Sequence, residues 1–363
     1  MFRARTLRYY IGRRFALMIA GALVVCMALI FMVDMIELLR QARSAKTVTM
    51  GQLAFIGFLR LHAFTEILIP FAVLVGSIGA LMSLSRKTEL AVMRAGGMSV
   101  WQFCRPGFTV AVLIGVITVV LYNPFAAASM ARAERLMATT FGGQSQSITA
   151  GDGNWLRQDG VDGPSVMTAN AVSDRGLTLS GVTIYQYDKK GVFVEQLLAR
   201  RGVLQDGYWE LSTVSIVRAG QEPELHNAYY LSTTLDRARI LNALSSIHTV
   251  SVFELPGVID LADKSQLPSA RFKIQYEMLL ARPLLLVAMV LLAATVSLRS
   301  FRQGGIQTMV STGIVGGVGF FLLTEVSRQV GLAGLVPAVV AVWLPVVIAC
   351  LFATTVLLVQ EDG

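Results

Sequence analysis

Long apolar runs recur along the chain at a length that suits a lipid bilayer. A helix crosses the hydrocarbon layer with about 20 mainly apolar residues. Runs near this length occupy residues 15–33, 63–84, 103–122, 284–298 (extended backwards by 278–280), 308–326 and 335–359. Buried helices of soluble proteins usually have shorter apolar runs and one polar stripe. The pattern therefore predicts six transmembrane helices, three on each side of a polar stretch.

The polar stretch between the third and fourth runs alternates with a period of two. Residues 181–187 and 209–217 alternate in this way and are rich in β-branched and aromatic side chains, which is typical of strands. Turn signals at 188–191 and 206–207 adjoin these segments. Short strands at this spacing predict an all-β sandwich or roll of about 110 residues.

The predicted fold class is thus an α-helical membrane protein with six transmembrane helices (3+3) and an all-β domain between the third and fourth. The predicted parts are an N-terminal membrane half (1–122), a helical extension of the third span (123–143), the β domain (144–255), a linker (256–275) and a C-terminal membrane half (276–363).

Composition agrees with a membrane protein. Only 15% of the 363 residues are charged, 54% are hydrophobic and the mean hydropathy is +0.61, whereas soluble domains carry about 25% charged residues. The three cysteines, Cys26, Cys104 and Cys350, lie in or beside apolar runs. No disulfide framework is therefore predicted for the β domain.

The net charge of +8 is an orientation signal. Residues 123–275 contain 14 basic and 15 acidic residues, so the excess lies in the membrane halves. The N-terminal tail and the loops after the second and fourth runs carry eleven basic residues, against five on the opposite loops. Because lysine and arginine favour cytoplasmic loops, both termini are predicted to be cytoplasmic and the β domain periplasmic. No nucleic-acid partner is predicted.

No catalytic constellation is visible in the sequence. The chain contains no GxxxxGK[ST] phosphate loop, no GxSxG and no HExxH or CxxC spacing. His62, His226 and His248 are scattered along the chain. We therefore predict no catalytic residue, no metal site and no cofactor in this chain.

Ionisable residues at membrane depth are the candidate ligand contacts, since charge there is costly and marks a pathway or a partner. Glu66 is predicted at the outer end of the second span, with hydration at the interface as the alternative. Glu325 and Arg328 are predicted at the outer end of the fifth span, where their i,i+3 spacing also allows an intrahelical pair. Arg40 and Arg43 follow the first span and either contact anionic headgroups or are simply solvated.

The loop SRKTELAVMRAGGMS, residues 85–99, is the most informative stretch. Leu90, Met93 and Arg94 suit a short amphipathic helix, which Gly96 and Gly97 end. A helix between two spans can receive force from a separate motor, with its apolar side in a groove. The alternative is a plain connector on the bilayer surface.

These features together resemble the lipopolysaccharide export permeases, the LptF/LptG family. The likeness rests on the 3+3 layout around a β domain and on the loop after the second span, and it covers essentially the whole chain. NWLRQDG at 154–160, LSGVTIYQY at 179–187 and LAGLVPAVVAVWLP at 332–345 are more similar to the LptG members than to the LptF members.

The resemblance implies an ABC exporter in the bacterial inner membrane. This chain would pair with an LptF-like permease above an LptB-like ATPase dimer, which binds ATP and Mg²⁺, and beside an LptC-like membrane-anchored protein. Lipopolysaccharide would leave the outer leaflet through an opening that involves the first and fifth spans. It would then pass over the β domain, expected to be a β-jellyroll.

The resemblance also implies roles for particular residues. In the loop, Glu89 matches the acidic coupling residue of the family, with Arg86, Arg94 and Gly97 around it. Lipopolysaccharide contacts would come from Arg40, Arg43, Glu66, Arg132, Arg135, Glu325 and Arg328. Phe31 and Glu37 depart from the family pattern, because lysines stand there in enteric-like LptG sequences.

Two other functions remain open at this point. One is the permease of a lipoprotein-releasing or mechanotransmitting ABC system, although such permeases usually have four spans with the large domain after the first. The other is a membrane receptor whose β domain senses a ligand, which would lack an ATPase partner.

Overall fold

The computed structural model describes residues 2–42, 49–86, 89–141, 155–160, 163–173, 177–188, 192–205, 207–218, 222–233, 249–264, 269–303 and 306–362. The chain divides into two compact units. Met1–Ile30, Phe64–Pro124 and Ala270–Gly363 form the helical unit. Phe31–Ala63 and Phe125–Ser269 form the mixed unit, which contains the sheet.

Helices account for most of the described chain outside the sheet. They are α1 (Phe2–Ala42), α2 (Met50–Arg86), α3 (Glu89–Ala95), α4 (Val100–Ile117), α5 (Asn123–Phe141), α6 (Leu255–Lys264), α7 (Ala270–Gln303), α8 (Ile306–Leu332) and α9 (Ala338–Asp362). One π-helical turn, Thr118–Tyr122, joins α4 to α5.

Five of the six predicted runs lie in helices that are long and apolar enough to cross a membrane. Within the described residues these segments are Thr6–Ala42, Met50–Arg86, Val100–Met137, Ala270–Ser297 and Ala338–Gln360. The remaining run, 308–326, lies in the continuous helix α8, and its crossing of the bilayer stays a prediction.

Two helices extend well beyond their apolar runs. Helix α1 continues to Ala42 and carries Asp34, Glu37 and Arg40 in helical conformation, as their spacing predicts. Helix α2 begins at Met50, well before the run that starts at residue 63. Glu66 therefore lies in the interior of α2, and its position at the outer end of the second span stays a prediction.

The core of the helical unit is an apolar cluster shared by α1, α2, α3, α4, α7, α8 and α9. Its fully buried members include Phe15, Leu81, Phe103 and Leu286. Several glycines allow close helix contacts. A Cβ at Gly115 of α4 would lie 2.6 Å from Cα of Pro283 in α7, and Gly313 and Gly317 of α8 receive the side chains of α2.

The sheet of the mixed unit contains β1 (Trp155–Gly160), β2 (Gly163–Ser173), β3 (Thr178–Tyr187), β4 (Phe193–Gln205), β5 (Tyr208–Arg218) and β6 (Glu224–Ser232). The order is β1-β2-β3-β4-β5-β6 and every neighbouring pair is antiparallel. The predicted β-rich domain is present. The described strands form one meander, however, so the jellyroll and the two-sheet sandwich remain predictions.

Buried and less buried side chains alternate along the strands, and this alternation shifts by one residue at a row that crosses β3, β4 and β5. In β5 the buried side chains are Trp209 and Leu211, then Val214 and Ile216, so the alternation shifts at Thr213, whose φ is 52°. The register places Thr213 opposite 200 in β4 and 200 opposite 181 in β3, and Gly181 has a φ of 61°. We call this row, at which the burial alternation of β3, β4 and β5 shifts by one residue, the crease of the sheet.

A network of buried polar side chains connects several strands of the sheet. The Gln158 side chain accepts hydrogen bonds from Trp209 Nε1 at 3.1 Å and from Thr233 Oγ1 at 2.7 Å. Its amide nitrogen donates to Ser165 Oγ at 3.0 Å. These contacts tie β1 to β2, to β5 and to the residue after β6, and they satisfy the polar end of the fully buried Trp209.

The region predicted as a linker, 256–275, is largely helical. Helix α6 spans Leu255–Lys264 and α7 begins at Ala270. Leu255 and Ala262, seven residues apart, are both buried, and this spacing corresponds to two helical turns. The sequence did not reveal this helix because its apolar pattern covers only about two turns between two polar stretches.

Candidate functional site

The predicted coupling segment folds as a short helix with a well-defined end. Helix α3 begins with the acidic Glu89 in its first turn, where the helix dipole favours negative charge. At its end, Gly97 N donates to Arg94 O at 2.9 Å and Met98 N donates to Met93 O at 3.2 Å, which is the Schellman pattern. Gly97 takes a φ of 79°, so glycine suits this position.

The apolar side of α3 is packed inside its own unit. Leu90 and Met93 are buried in the same cluster as Leu84, Val100 and Phe103. The interpretation that this apolar side enters a partner's groove is therefore wrong for these two side chains. The exposed surface of the segment is formed instead by Val92, which is 68% exposed, and by the neighbouring residues Arg86, Arg94, Ala95, Gly96 and Gly97.

The Glu89 carboxylate is held by two side chains of α1. Tyr10 donates its hydroxyl hydrogen to Glu89 Oε1 at 3.1 Å. Arg14 NH1 lies 3.6 Å from the same oxygen and donates to the Tyr10 hydroxyl. Arg14 NH2 also donates to Ser83 Oγ of α2. Glu89 thus belongs to a network that joins α1, α2 and α3, which we call the Arg14 network (Tyr10, Arg14, Ser83, Glu89).

A second polar cluster is buried deep in the helical unit. Glu66 of α2 accepts hydrogen bonds from Asn123 Nδ2 at 3.0 and 3.4 Å, and Arg282 NH1 of α7 lies 3.7 Å from Glu66 Oε2. Glu66 is 6% exposed and Arg282 is 7% exposed. The hydrated alternative for Glu66 is therefore wrong, and its carboxylate is occupied within the chain.

All three contributing segments have a local break in their hydrogen-bond ladders. Pro283 follows Arg282 directly, and Pro70 lies one turn after Glu66. Asn123 N donates to Thr118 O, five residues back, in the π-helical turn. The following residue, Pro124, lacks an N–H and clashes with the carbonyl four residues before it, which accounts for the wider turn.

Arg282 is a site residue that the sequence analysis missed. Arg282 lies between two apolar stretches, 278–280 and 284–298, which were joined into one predicted span. Sixteen basic residues of the membrane halves were assigned to tails and loops, while these halves contain 17. The one left over is Arg282, so a complete tally of charges would have identified it.

The mixed unit has its own ion pair between a partly buried arginine and a buried carboxylate. Arg60 NH1 of α2 lies 3.2 Å from Asp34 Oδ1 of α1, and Asp34 is buried. Leu38, Leu53, Ile56 and Met137 form an apolar cluster in the same unit.

The predicted lipopolysaccharide contacts fall into different environments. The Arg40 side chain is 75% exposed and bonds to Glu37 on its own helix at 3.0 Å. Arg132 and Arg135 of α5 are exposed and three residues apart. Arg43 lies outside the described residues.

Glu325 and Arg328 form the intrahelical pair that their i,i+3 spacing allows. Arg328 Nε and NH2 donate to the two carboxylate oxygens at 2.9 and 2.6 Å. Gln329 Nε2 donates to Glu325 Oε1 at 2.8 Å. Among the described residues, no group of three or more His, Cys, Asp or Glu side chains could hold a metal ion.

Comparisons with known proteins agree with this architecture. The family model described as "Lipopolysaccharide export system permease LptF/LptG" matches residues 9–359. The chain is also similar to the curated "Lipopolysaccharide export system permease protein LptG" of Haemophilus influenzae, at 22% identity over 348 residues, which cover 94% of each chain.

Proposed function

The chain belongs to the lipopolysaccharide export system permease LptF/LptG family, and from this premise we propose that it extracts lipopolysaccharide from the outer leaflet of the inner membrane as the permease subunit of an ABC exporter. It is a multi-pass inner membrane protein with a β-sheet domain. The observation that carries the proposal is the family match from residue 9 to residue 359, because it includes both helical halves and the sheet.

The proposed complex contains chains that supply what this one lacks. An LptB-like ATPase dimer would bind ATP and Mg²⁺, since the sequence has no phosphate loop of its own. An LptF-like permease would complete the lipid cavity, and an LptC-like protein would receive the lipid. The pairing of this chain as the LptG-like partner is supported by its similarity to an LptG protein.

The ATPase would act on the segment around α3. Arg86, Glu89, Arg94 and Gly97 are the proposed coupling residues. The exposure of Val92 and Arg94 supports a contact surface, and the burial of Leu90 and Met93 supports transmission of force into the helices. A cation on the ATPase would meet Glu89, while an acidic group would meet Arg86 or Arg94.

The lipid would be recognised through its phosphates. Arg132 and Arg135 are the leading candidates because they are exposed on one helix at i,i+3 spacing and charge-assisted Arg–phosphate bonds are strong. Arg40 is a further candidate. Arg43, Glu325 and Arg328 remain predicted contacts, whereas Glu66 is better explained as an internal partner of Arg282.

The orientation follows from the distribution of basic residues. Both termini and α3 would face the cytoplasm, and the sheet would lie in the periplasm. ATP-driven closure of the motor would narrow the lipid cavity and expel the lipid toward the β domain.

Reconstitution tests the proposal. The affinity-purified complex would be placed in vesicles that contain lipopolysaccharide, with a soluble periplasmic acceptor outside. We expect an ATPase subunit to co-purify and ATP-dependent transfer of lipopolysaccharide to the acceptor, with phospholipid as the control lipid. A complex without an ATPase subunit, or one that transfers both lipids equally, would contradict the proposal.

A further inference from the structure

We propose that Arg14 and Tyr10 are positioning residues that hold Glu89 and make α1 move together with α3. This inference rests on the proposed function, because it concerns how the force received by α3 reaches the membrane helices. Arg14 lies in the N-terminal tail, whose basic residues are predicted to set the orientation of the chain.

The hydrogen bonds of the Arg14 network connect three helices through one guanidinium group. Arg14 contacts Tyr10 on its own helix, Ser83 of α2 and Glu89 of α3. Tyr10 donates to Glu89 Oε1 and accepts from Arg14, so its hydroxyl has both a donor and an acceptor partner. A guanidinium with several donors in a fixed plane suits such a bridge better than a lysine ammonium.

Apolar packing on the same stretch of α1 completes a rigid body. Ile11 and Phe15 lie in the cluster that also contains Leu90 and Met93 of α3. A Cβ at Gly107 of α4 would lie 2.9 Å from the Phe15 ring, so α4 fits closely against this side chain. Displacement of α3 must therefore either carry this part of α1 with it or break well-packed contacts.

The geometry leaves part of Glu89 exposed for a contact with the ATPase while Tyr10 and Arg14 hold its carboxylate. Tyr10 and Arg14 both contact Oε1, and the Glu89 side chain remains 31% exposed. A cation of the ATPase can approach this exposed part without displacing Arg14. Glu89 would then link the motor to α1 through charge-assisted bonds, which are the stronger kind.

The adjacent Arg13 provides a matched control. Arg13 carries the same charge in the same turn of α1 but its side chain is exposed, whereas Arg14 is partly buried in the network. In the assembled complex we expect R14Q to lower lipopolysaccharide-stimulated ATP hydrolysis about tenfold, within the range of typical coupling between sites. R13Q should leave the stimulation unchanged, and the ATPase subunit should co-purify with both variants.

Two further variants separate positioning from a general effect on folding. Y10F removes the hydroxyl that bridges Arg14 and Glu89 and should lower the stimulation by a smaller factor. R14K leaves Glu89 unchanged for its contact with the ATPase and keeps the positive charge beside it, so it should retain part of the stimulation that R14Q loses. A merely structural role for Arg14 through the packing of its side chain would not make R14K differ from R14Q, since the two differ mainly in charge.

A distance measurement tests the shared motion directly. Spin labels at Tyr9→Cys and Val92→Cys occupy exposed positions on α1 and α3, in a chain whose native cysteines are replaced. We expect the distance between the labels to stay constant when a non-hydrolysable ATP analogue is added, and to change on the same addition in R14Q. An R14Q variant with wild-type stimulation and a constant distance would overturn the inference. A wild-type complex without stimulated ATP hydrolysis would instead contradict the proposed function.

Discussion

At the residue scale, Glu66 and Arg282 are tolerated in the helical unit because each neutralises the other. Removing one partner leaves an uncompensated buried charge, and breaking a buried pair in this way costs about 3–5 kcal/mol. We therefore expect E66Q and R282Q each to lower the free energy of unfolding by about that amount. Equilibrium unfolding of the purified chain in detergent micelles measures the change.

Two double variants serve as controls for this pair. E66Q/R282Q leaves two neutral amides that can bond to each other and to Asn123, so most of the lost stability should return. E325Q/R328Q removes a partly exposed pair of the same charges and should cost under about 1 kcal/mol. An R282Q variant as stable as the wild type would show that the buried Glu66 carboxylate needs no cationic partner.

Gln158 carries a second prediction at this scale. Q158L removes the acceptor for Trp209 and Thr233 and the donor to Ser165, and each buried group left unsatisfied costs about 1–3 kcal/mol. We expect a loss of about 3 kcal/mol, which corresponds to roughly a hundredfold faster amide exchange in β1 and β5 if exchange follows opening of the domain. Hydrogen–deuterium exchange of peptides from these strands measures it.

T233V is the control for Gln158, because it removes only one of the three hydrogen bonds. It should accelerate the exchange of the same peptides by a smaller factor. Equal exchange rates in Q158L and the wild type would mean that the network adds nothing to the stability of the sheet.

Sequence patterns identified unusual residues such as Glu66, but they did not identify the residues that these contact. The high cost of charge in an apolar run correctly marked Glu66 as unusual. Its partner Arg282 is more than 200 positions away in the chain, and only the packing of α2 against α7 brings the two together. Leu90 and Met93 show the same limit, since an apolar stripe on a short helix fits its own core and a partner's groove equally well.

At the element scale, the crease in the sheet depends on two residues with positive φ. A Cβ at Gly181 would lie 2.3 Å from Asn170 Nδ2, and a left-handed conformation costs a residue with a Cβ about 1–2 kcal/mol. G181A should therefore destabilise the sheet by at least about 1 kcal/mol. Exchange of the β3, β4 and β5 amides in the full chain measures the effect.

Thr213 lies in the same row and allows the opposite test, in which a side chain is replaced by glycine. A β-branched residue at φ 52° is strained, so T213G relieves the strain while adding about 0.5–1 kcal/mol of chain entropy to the unfolded state. We expect T213G to stabilise the sheet by less than about 1 kcal/mol. Destabilisation by T213G as large as that by G181A would show that the crease does not depend on backbone strain.

The sequence predicted most elements because their periods are strong. Runs of apolar residues marked the long helices, and the alternation in 181–187 and 209–217 marked β3 and β5. The start of α2 was missed because helical turns that contain polar residues precede its apolar run. Strand order depends on long-range pairing, which local alternation does not encode, so the meander of the described strands was visible only in the structure.

At the scale of the whole molecule, charge is divided unequally between the parts of the chain. The region 123–275 is nearly neutral, whereas the membrane halves contain 17 basic and 8 acidic residues. Most of this excess sets the orientation in the bilayer. Arg132 and Arg135 belong to the nearly neutral region, so an anion would meet them without a large surrounding positive field.

This arrangement predicts a local rather than a general effect of the two arginines on lipid binding. R132Q/R135Q removes two charged donors for phosphate, each worth about 1.5–3 kcal/mol when bonded to a charged group. We expect the complex to retain lipopolysaccharide at least about tenfold less tightly. Retention is measured by co-purification of lipopolysaccharide over a series of salt concentrations, and the variant should also show a weaker salt dependence.

A matched variant decides whether position or charge is responsible. R200Q/R201Q removes two exposed arginines from β4 of the same unit and changes the net charge by the same amount. If phosphates bind at α5, this variant should retain lipopolysaccharide like the wild type. Equal losses in the two variants would mean that only the total charge of the region matters, because steering by net charge does not depend on which arginines carry it. Loss in R132Q/R135Q alone would require direct contact, since only a local bond distinguishes two pairs of equal charge.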